Sequence, residues 1–147
     1  MDYAIGSTGR VFAVRFDHED DFLGGLTELA LKENIRCAWF NVIGGILEAD
    51  VVTGPKAPVM PPEPVWHEMR EAREVLGTGS LFRDETGEPK IHLHTALGHH
   101  GHTLTACMRK GTKTYLVLEV YLVEIAGIDA SRPWYAAGGF NRVEFGG

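Results

Sequence analysis

Lys90-Ile91-His92-Leu93-His94-Thr95-Ala96-Leu97, followed by Gly98-His99-His100-Gly101 and then His102-Thr103-Leu104-Thr105-Ala106-Cys107-Met108-Arg109, is the stretch on which the fold turns. Its first eight residues alternate strictly. Ile91, Leu93, Thr95 and Leu97 fall on one face, and His92, His94 and Ala96 on the other. That period of two belongs to a half-buried strand. The glycine-bracketed histidines read as a hairpin loop, and His102 to Arg109 as the returning strand.

Working outward, Thr112 to Ile125 is long, β-branched and aromatic, a further strand. Towards the N-terminus, Gly9 to Phe16 alternates as a strand. The acidic run Asp17-His18-Glu19-Asp20-Asp21 suits a helix start, where carboxylates cap free N–H groups and meet the positive dipole end. Phe22, Leu23, Leu26, Leu29 and Ala30 then repeat at helical spacing, with Asn34 as the stop. Cys37 to Ile43 and Ile46 to Thr53 read as strand, interrupted at Gly44-Gly45 by a bulge or bend. Gly54 to Pro64 carries five of the seven prolines and reads as a loop. Val65 to Val75 is helix-friendly in composition but runs into the strand-like Gly77-Thr78-Gly79-Ser80-Leu81-Phe82, where the glycine pair reads as a strand irregularity. The segment from Ala126 has few periodic features.

Several strands and one clear helix give an α+β protein with a mostly antiparallel sheet. A chain of 147 residues fits one domain, with a core over about 9–125 and a tail over 126–147. The apolar stretches are far shorter than the ~20 residues a membrane span needs, and the N-terminus has no signal-like apolar core, which points to the cytoplasm and away from the membrane. Two cysteines, Cys37 and Cys107, are too few for a disulfide scaffold and read as reduced thiols. A formal net charge of −6, without any Lys/Arg run, weighs against binding to DNA phosphates.

The chemistry concentrates on His92 and His94. Residues two apart on a strand share a face, so both imidazoles can converge on one ion. The third ligand depends on the hairpin. A four-residue loop over Gly98–Gly101 pairs Leu97 with His102, sets His92 opposite Cys107, and yields a His-His-Cys set. A five-residue loop turns Cys107 away and presents Ala106 and Met108 instead. Two histidines spaced this way also fit an exposed polar face, and His99, His100 and His102 fit a solvated loop. Glu119, in an otherwise apolar strand, is a candidate catalytic or fourth-ligand carboxylate, an acceptor for a ligand histidine N–H, or an ordinary charge on the sheet. Cys37 reads as core. Trp39, Phe40, Trp66 and Trp134 read as core or interface aromatics or a pocket lining, and Arg109-Lys110 as solvated. Gly77-x-Gly79 lacks the third glycine and the helix of a dinucleotide site.

The order of these segments resembles the plant and prokaryote conserved (PPC) domain family. The residues that carry it are Gly9-Arg10-Val11-Phe12, Glu19-Asp20-Asp21, Ala38-Trp39-Phe40-Asn41-Val42-Ile43-Gly44-Gly45, Glu74-Val75-Leu76-Gly77-Thr78-Gly79-Ser80, Pro89-Lys90-Ile91-His92-Leu93-His94, and Thr114 to Val120 with Glu119. The resemblance implies an antiparallel α+β fold assembled as a homotrimer. It also implies a metal, zinc or another divalent transition ion, held by the His-x-His pair and a later histidine. Here the matching segment is Thr105-Ala106-Cys107, which substitutes a thiolate that zinc accepts. In plants the domain accompanies an AT-hook, but no Arg-Gly-Arg-Pro core occurs here, so DNA as a partner rests on family naming. Three expectations follow: a trimeric metal- or small-ligand-binding, regulatory module; a metal-dependent enzyme on a His-His-Cys zinc site with Glu119 as base; and a DNA-binding protein.

Overall fold

A computed structural model describes residues 1–146. The chain runs β1 (Ser7–Asp17), α1 (Phe22–Lys32), β2 (Cys37–Pro55), β3 (Pro64–Met69), β4 (Arg73–Arg83), β5 (Pro89–His99) and β6 (His102–Ala126). Four two-residue strands follow: β7 (Ala130–Ser131), β8 (Trp134–Tyr135), β9 (Phe140–Asn141) and β10 (Glu144–Phe145). All pairings are antiparallel, and α1 is the one α-helix among the described residues, as the patterning predicts.

Two very long, bent strands organise the sheet. The first half of β2 pairs with β4 and with the second half of β6, whereas its second half pairs with β3 and with the first half of β6. Since β5 joins β4 to the first half of β6, the strands β2, β4, β5 and β6 form a closed circuit. His102–Arg109 and Thr112–Ile125, read from sequence as two strands, are one strand. Positive φ at Gly111 (62°) and Leu116 (59°) lets β6 change direction without breaking. Its counterpart is Gly44, at φ 127°, where the β2 register shifts. A Cβ there would lie 2.3 Å from the Val117 carbonyl oxygen, so no side chain fits.

Inside the circuit, Phe40, Val42, Ile46, Leu81, Leu93, Leu97, Leu118 and Leu122 are fully buried. The Gly77-x-Gly79 pair is not an irregularity. Gly77 faces Val42 and Gly79 faces Phe40 in unbroken register; the bare Gly79 leaves room for the Phe40 ring, and the bare Gly77 for Thr95 and Val42. Val65–Val75 is likewise not helical. Pro64–Met69 is an edge strand with only Met69 buried, and Arg70 clamps the turn after it by bonding Asp50 Oδ1 at 2.6 Å. Edge pairing overrides the helix-friendly composition.

Helix α1 closes the barrel with Phe22, Leu26 and Ala30. Asp21 caps it: its carboxylate accepts from Gly24 N–H (3.2 Å) and from the buried Thr112 hydroxyl (3.0 Å), whose oxygen accepts from Leu23 N–H (3.0 Å). Asp21→Ala removes the cap and orphans a buried hydroxyl. The expected loss is about 1–2 kcal/mol, read as a lower urea midpoint at unchanged slope. An unchanged midpoint would show that water replaces the carboxylate.

The outer face follows from the register. Val11, Val123, Trp39, Ser80 and His92 form one cross-strand row, Ala13, Tyr121, Asn41, Thr78 and His94 the next, and Arg15, Glu119, Ile43, Leu76 and Ala96 the third. Val11, Trp39, Ile43, Leu76 and Tyr121 are all exposed on this face. Among the described residues, no helix is long and apolar enough to cross a membrane.

Candidate metal centre and its cleft

The β5–β6 hairpin turns on two residues. His99 pairs with His102, leaving His100 (φ 46°) and Gly101 (φ 81°) as the loop, and two successive positive φ values define the primed turn that suits a tight hairpin. The expected loop over Gly98–Gly101 is therefore two residues too long, and the predicted pairing of His92 with Cys107 is corrected: His94 pairs with Cys107. A shift of two residues preserves the faces. Cys107 lies on the side of both histidines, and the ligand-capable atoms of His92, His94 and Cys107 lie within 4.8 Å of one another. Among the described residues, no other group of three such side chains converges this closely.

The two Nε2 atoms are 3.0 Å apart. Two nitrogens bound tetrahedrally at ~2.0–2.1 Å stand roughly 3.3 Å apart, so the imidazoles are spaced almost as zinc requires. Two imidazoles and a thiol are a borderline-soft donor set that fits zinc. His92 is exposed by surface area, yet partial desolvation of its ring pushes its pKa below the usual value, and the nearby Arg132, His94 and Arg109 act in the same direction. This favours the neutral, ligating form. Burial raises the Cys107 thiol, while Arg109 and a hydrogen bond with the Leu93 backbone pull it back.

Glu119 does not join this group. Going from β5 across β4 and β2 to β6, two strands separate it from the histidines, and three strand spacings amount to about 14 Å. Its carboxylate instead accepts the Tyr121 hydroxyl at 2.5 Å. The hairpin histidines are apart from the cluster as well; His99 Nδ1 lies 3.6 Å from Glu71. Cys37 is buried, with its thiol 3.6 Å from the Ala130 carbonyl.

The cluster opens into a cleft. A cavity of about 690 Å³ takes in His92, and an adjoining one of about 390 Å³ takes in His94 and Cys107; Val52, Pro62, Pro64 and Arg109 line both. One wall comes from the proline-rich segment and β3, with Trp66. The other comes from the C-terminal segment, with Trp134 and Phe140. The sequence placed Trp66 and Trp134 among possible pocket aromatics, but two cleft residues escaped it. Arg109, read from the sequence as solvated, is exposed and also lines the cleft. Arg132 is 4 % exposed, lies over the Phe82 ring, and donates to the carbonyls of Lys90 (3.0 Å) and Ser80 (3.2 Å) and to Ser80 Oγ (2.8 Å). Burial pushes its pKa down to about 10. The only hint in the sequence is an arginine beside Pro133-Trp134 in an unpatterned segment.

The fold and the cluster define a small antiparallel α+β domain with three side chains of metal-ligating chemistry, His92, His94 and Cys107, grouped at the border of an exposed sheet face. The Plants and Prokaryotes Conserved (PCC) domain model matches residues 3–126, and the chain belongs to that family. Solved structures share the fold. A metal-containing protein from Archaeoglobus fulgidus has a TM-score of 0.83 at 21 % identity, over 97 % of this chain and 98 % of its own. A plant- and prokaryote-conserved protein from Pyrococcus horikoshii has a TM-score of 0.81 at 21 % identity, over 99 % of both chains. A candidate DNA-binding protein from Bacteroides thetaiotaomicron has a TM-score of 0.74 at 19 % identity, over 97 % of this chain and 99 % of its own. No curated protein matches the sequence.

Proposed function

We propose that this protein is a metal-binding module that assembles as a homotrimer and holds zinc, or another divalent transition ion, at His92, His94 and Cys107. The observation that carries the reading is the convergence of three ligand atoms of suitable chemistry within 4.8 Å. A fold neighbour described as metal-containing supports it. The trimer is supported by the family resemblance and by the exposed apolar residues Val11, Trp39, Ile43, Leu76 and Tyr121 on one sheet face, since such patches mark association surfaces. The histidines border that same face, so in this reading the ion lies near a subunit boundary.

The test is elemental analysis of untagged protein together with its mass by light scattering. About one ion per chain and the mass of three chains are expected, with the ion lost in His92→Ala. No metal after incubation with excess zinc would return the histidines to an exposed strand face, and a stable monomer would remove the trimer.

A second reading, metal-dependent catalysis, is favoured by three protein donors beside a cleft, since catalytic zinc sites keep a position open. The distance of Glu119 withdraws its proposed role as base, and no aspartate or glutamate lines the cleft. DNA binding is suggested by the description of one neighbour and opposed by the net charge of −6. A salt titration against an A·T-rich duplex tests DNA binding: a steep salt dependence would mark phosphate contacts, and no binding at low salt would end that reading.

A further inference from the structure

We infer that the cleft above His92 binds a small organic anion, a carboxylate or phosphate attached to a flat apolar body, with Arg109 and Arg132 taking the charge and Trp66 and Trp134 taking the ring. The inference extends the metal-site reading of the same cleft, but its anchors belong to the protein and do not depend on an ion.

Three observations support it. First, an acidic chain has built a cleft without acids. Lys90, Arg109 and Arg132 line the larger cavity and Arg109 the smaller, and among the described residues no aspartate or glutamate lines either. Lys90 is tied to Asp84 at 3.0 Å, whereas neither arginine has a carboxylate within salt-bridge distance among the described residues. Second, Arg132 is a nearly buried cation whose hydrogen-bond partners are all neutral. Burying a charge without a counter-charge is costly, and an entering anion supplies what the fold leaves out. A ligand anion also suits a guanidinium better than an ammonium, because the guanidinium fork matches carboxylate and phosphate geometry. Third, the walls are aromatic and open. Trp66 is 51 % and Trp134 is 57 % exposed, each inside the cleft, and Phe140 lies beside them. Cations without carboxylate partners and bare indoles lining one cleft fit a ligand charged at one end and flat at the other. A cleft of about 690 Å³ is the right size for a small molecule. The wall bearing Arg132, Trp134 and Phe140 lies beyond residue 126, where the family match ends.

The two cleft indoles provide the readout. Trp39, the third tryptophan, lies on the outer face, so Trp39→Phe isolates the cleft signal. Phenyl phosphate and benzoate are titrated into EDTA-treated and zinc-loaded protein, followed by fluorescence and calorimetry, with inorganic phosphate and benzyl alcohol as the separate halves. Saturable binding of one aromatic anion is expected in both metal states, stronger than either half, and weakened at least tenfold by Arg109→Ala at an unchanged melting temperature. The preferred head group decides between phosphate and carboxylate. Arg132→Ala is avoided as the primary variant because its backbone bonds are structural. The inference is overturned if neither anion saturates, if benzyl alcohol binds as well as its charged counterparts, or if Arg109→Ala binds unchanged. Anion binding by protein that takes up no zinc would remove the metal reading and leave this one standing. Zinc uptake without anion binding would do the reverse.

Discussion

Zinc affinity is expected to rise about tenfold per pH unit between pH 7 and 8.5, and Cys107→Ala is expected both to abolish that slope and to weaken binding by a factor of 100 or more. The sign follows from the ligand states. Metal takes up a thiolate, and the Cys107 thiol is held above its ordinary value by burial, so near neutrality the free protein carries a proton there that binding must release. One released proton per ion makes each pH unit worth a factor of ten, or 1.36 kcal/mol. His92 contributes little to the slope in this window, because desolvation and the neighbouring positive charges already hold its pKa below the usual imidazole value. Competitive titration with a chromophoric chelator at several pH values measures both effects. His92→Ala should show the same loss of affinity while keeping a thiol-dependent slope. If Cys107→Ala kept the wild-type slope, the thiol would lie outside the coordination sphere, and the two histidines would hold the ion with solvent.

What the sequence made legible follows from what local physics can encode. The alternation of Ile91, Leu93, Thr95 and Leu97 forces His92 and His94 outward whatever they pair with, so that part of the site is written into the pattern itself. Cys107 was legible only up to parity. Turn length decides the partner, and Gly98, which belongs to the strand, hid a two-residue turn made of His100 and Gly101. Since a shift of two residues keeps the face, the His-His-Cys set survives an incorrect pairing. Val65–Val75 stayed ambiguous because an edge strand that buries only Met69 has almost no hydrophobic signal, and its conformation is imposed by β2. Glu119 was overvalued for the opposite reason. A carboxylate in an apolar strand looks functional until the register shows it two strands from the histidines and bonded to Tyr121. Arg132 was illegible. Its role depends on a non-periodic segment that brings it against Ser80 and Phe82, which is long-range information.

Gly79→Ala is expected to destabilise the protein by about 2–3 kcal/mol, lowering its melting temperature by roughly 10 °C, although it adds a single methyl group to a strand. The added Cβ would stand 2.5 Å from Phe40 Cζ and 2.8 Å from the His92 carbonyl oxygen. Phe40 is fully buried at the centre of the closed circuit and has no free volume to retreat into, because a native core is packed to near crystal density. The strain therefore falls on two groups at once, the ring and the β5 backbone that carries His92. Stability and zinc affinity should fall together, which an ordinary core lesion far from β5 would not produce. The mechanism predicts its own rescue. Phe40→Leu alone leaves a void and costs stability, but in the Gly79→Ala background it removes the clashing ring carbon. The double variant should then be more stable than the sum of the two single losses by at least about 1 kcal/mol, measured by urea denaturation as a double-mutant cycle. Additive losses would mean that the methyl group is accommodated by movement of β5 and not by the ring. The lowered zinc affinity of Gly79→Ala would then persist in the double variant, whereas relief at Phe40 should restore it.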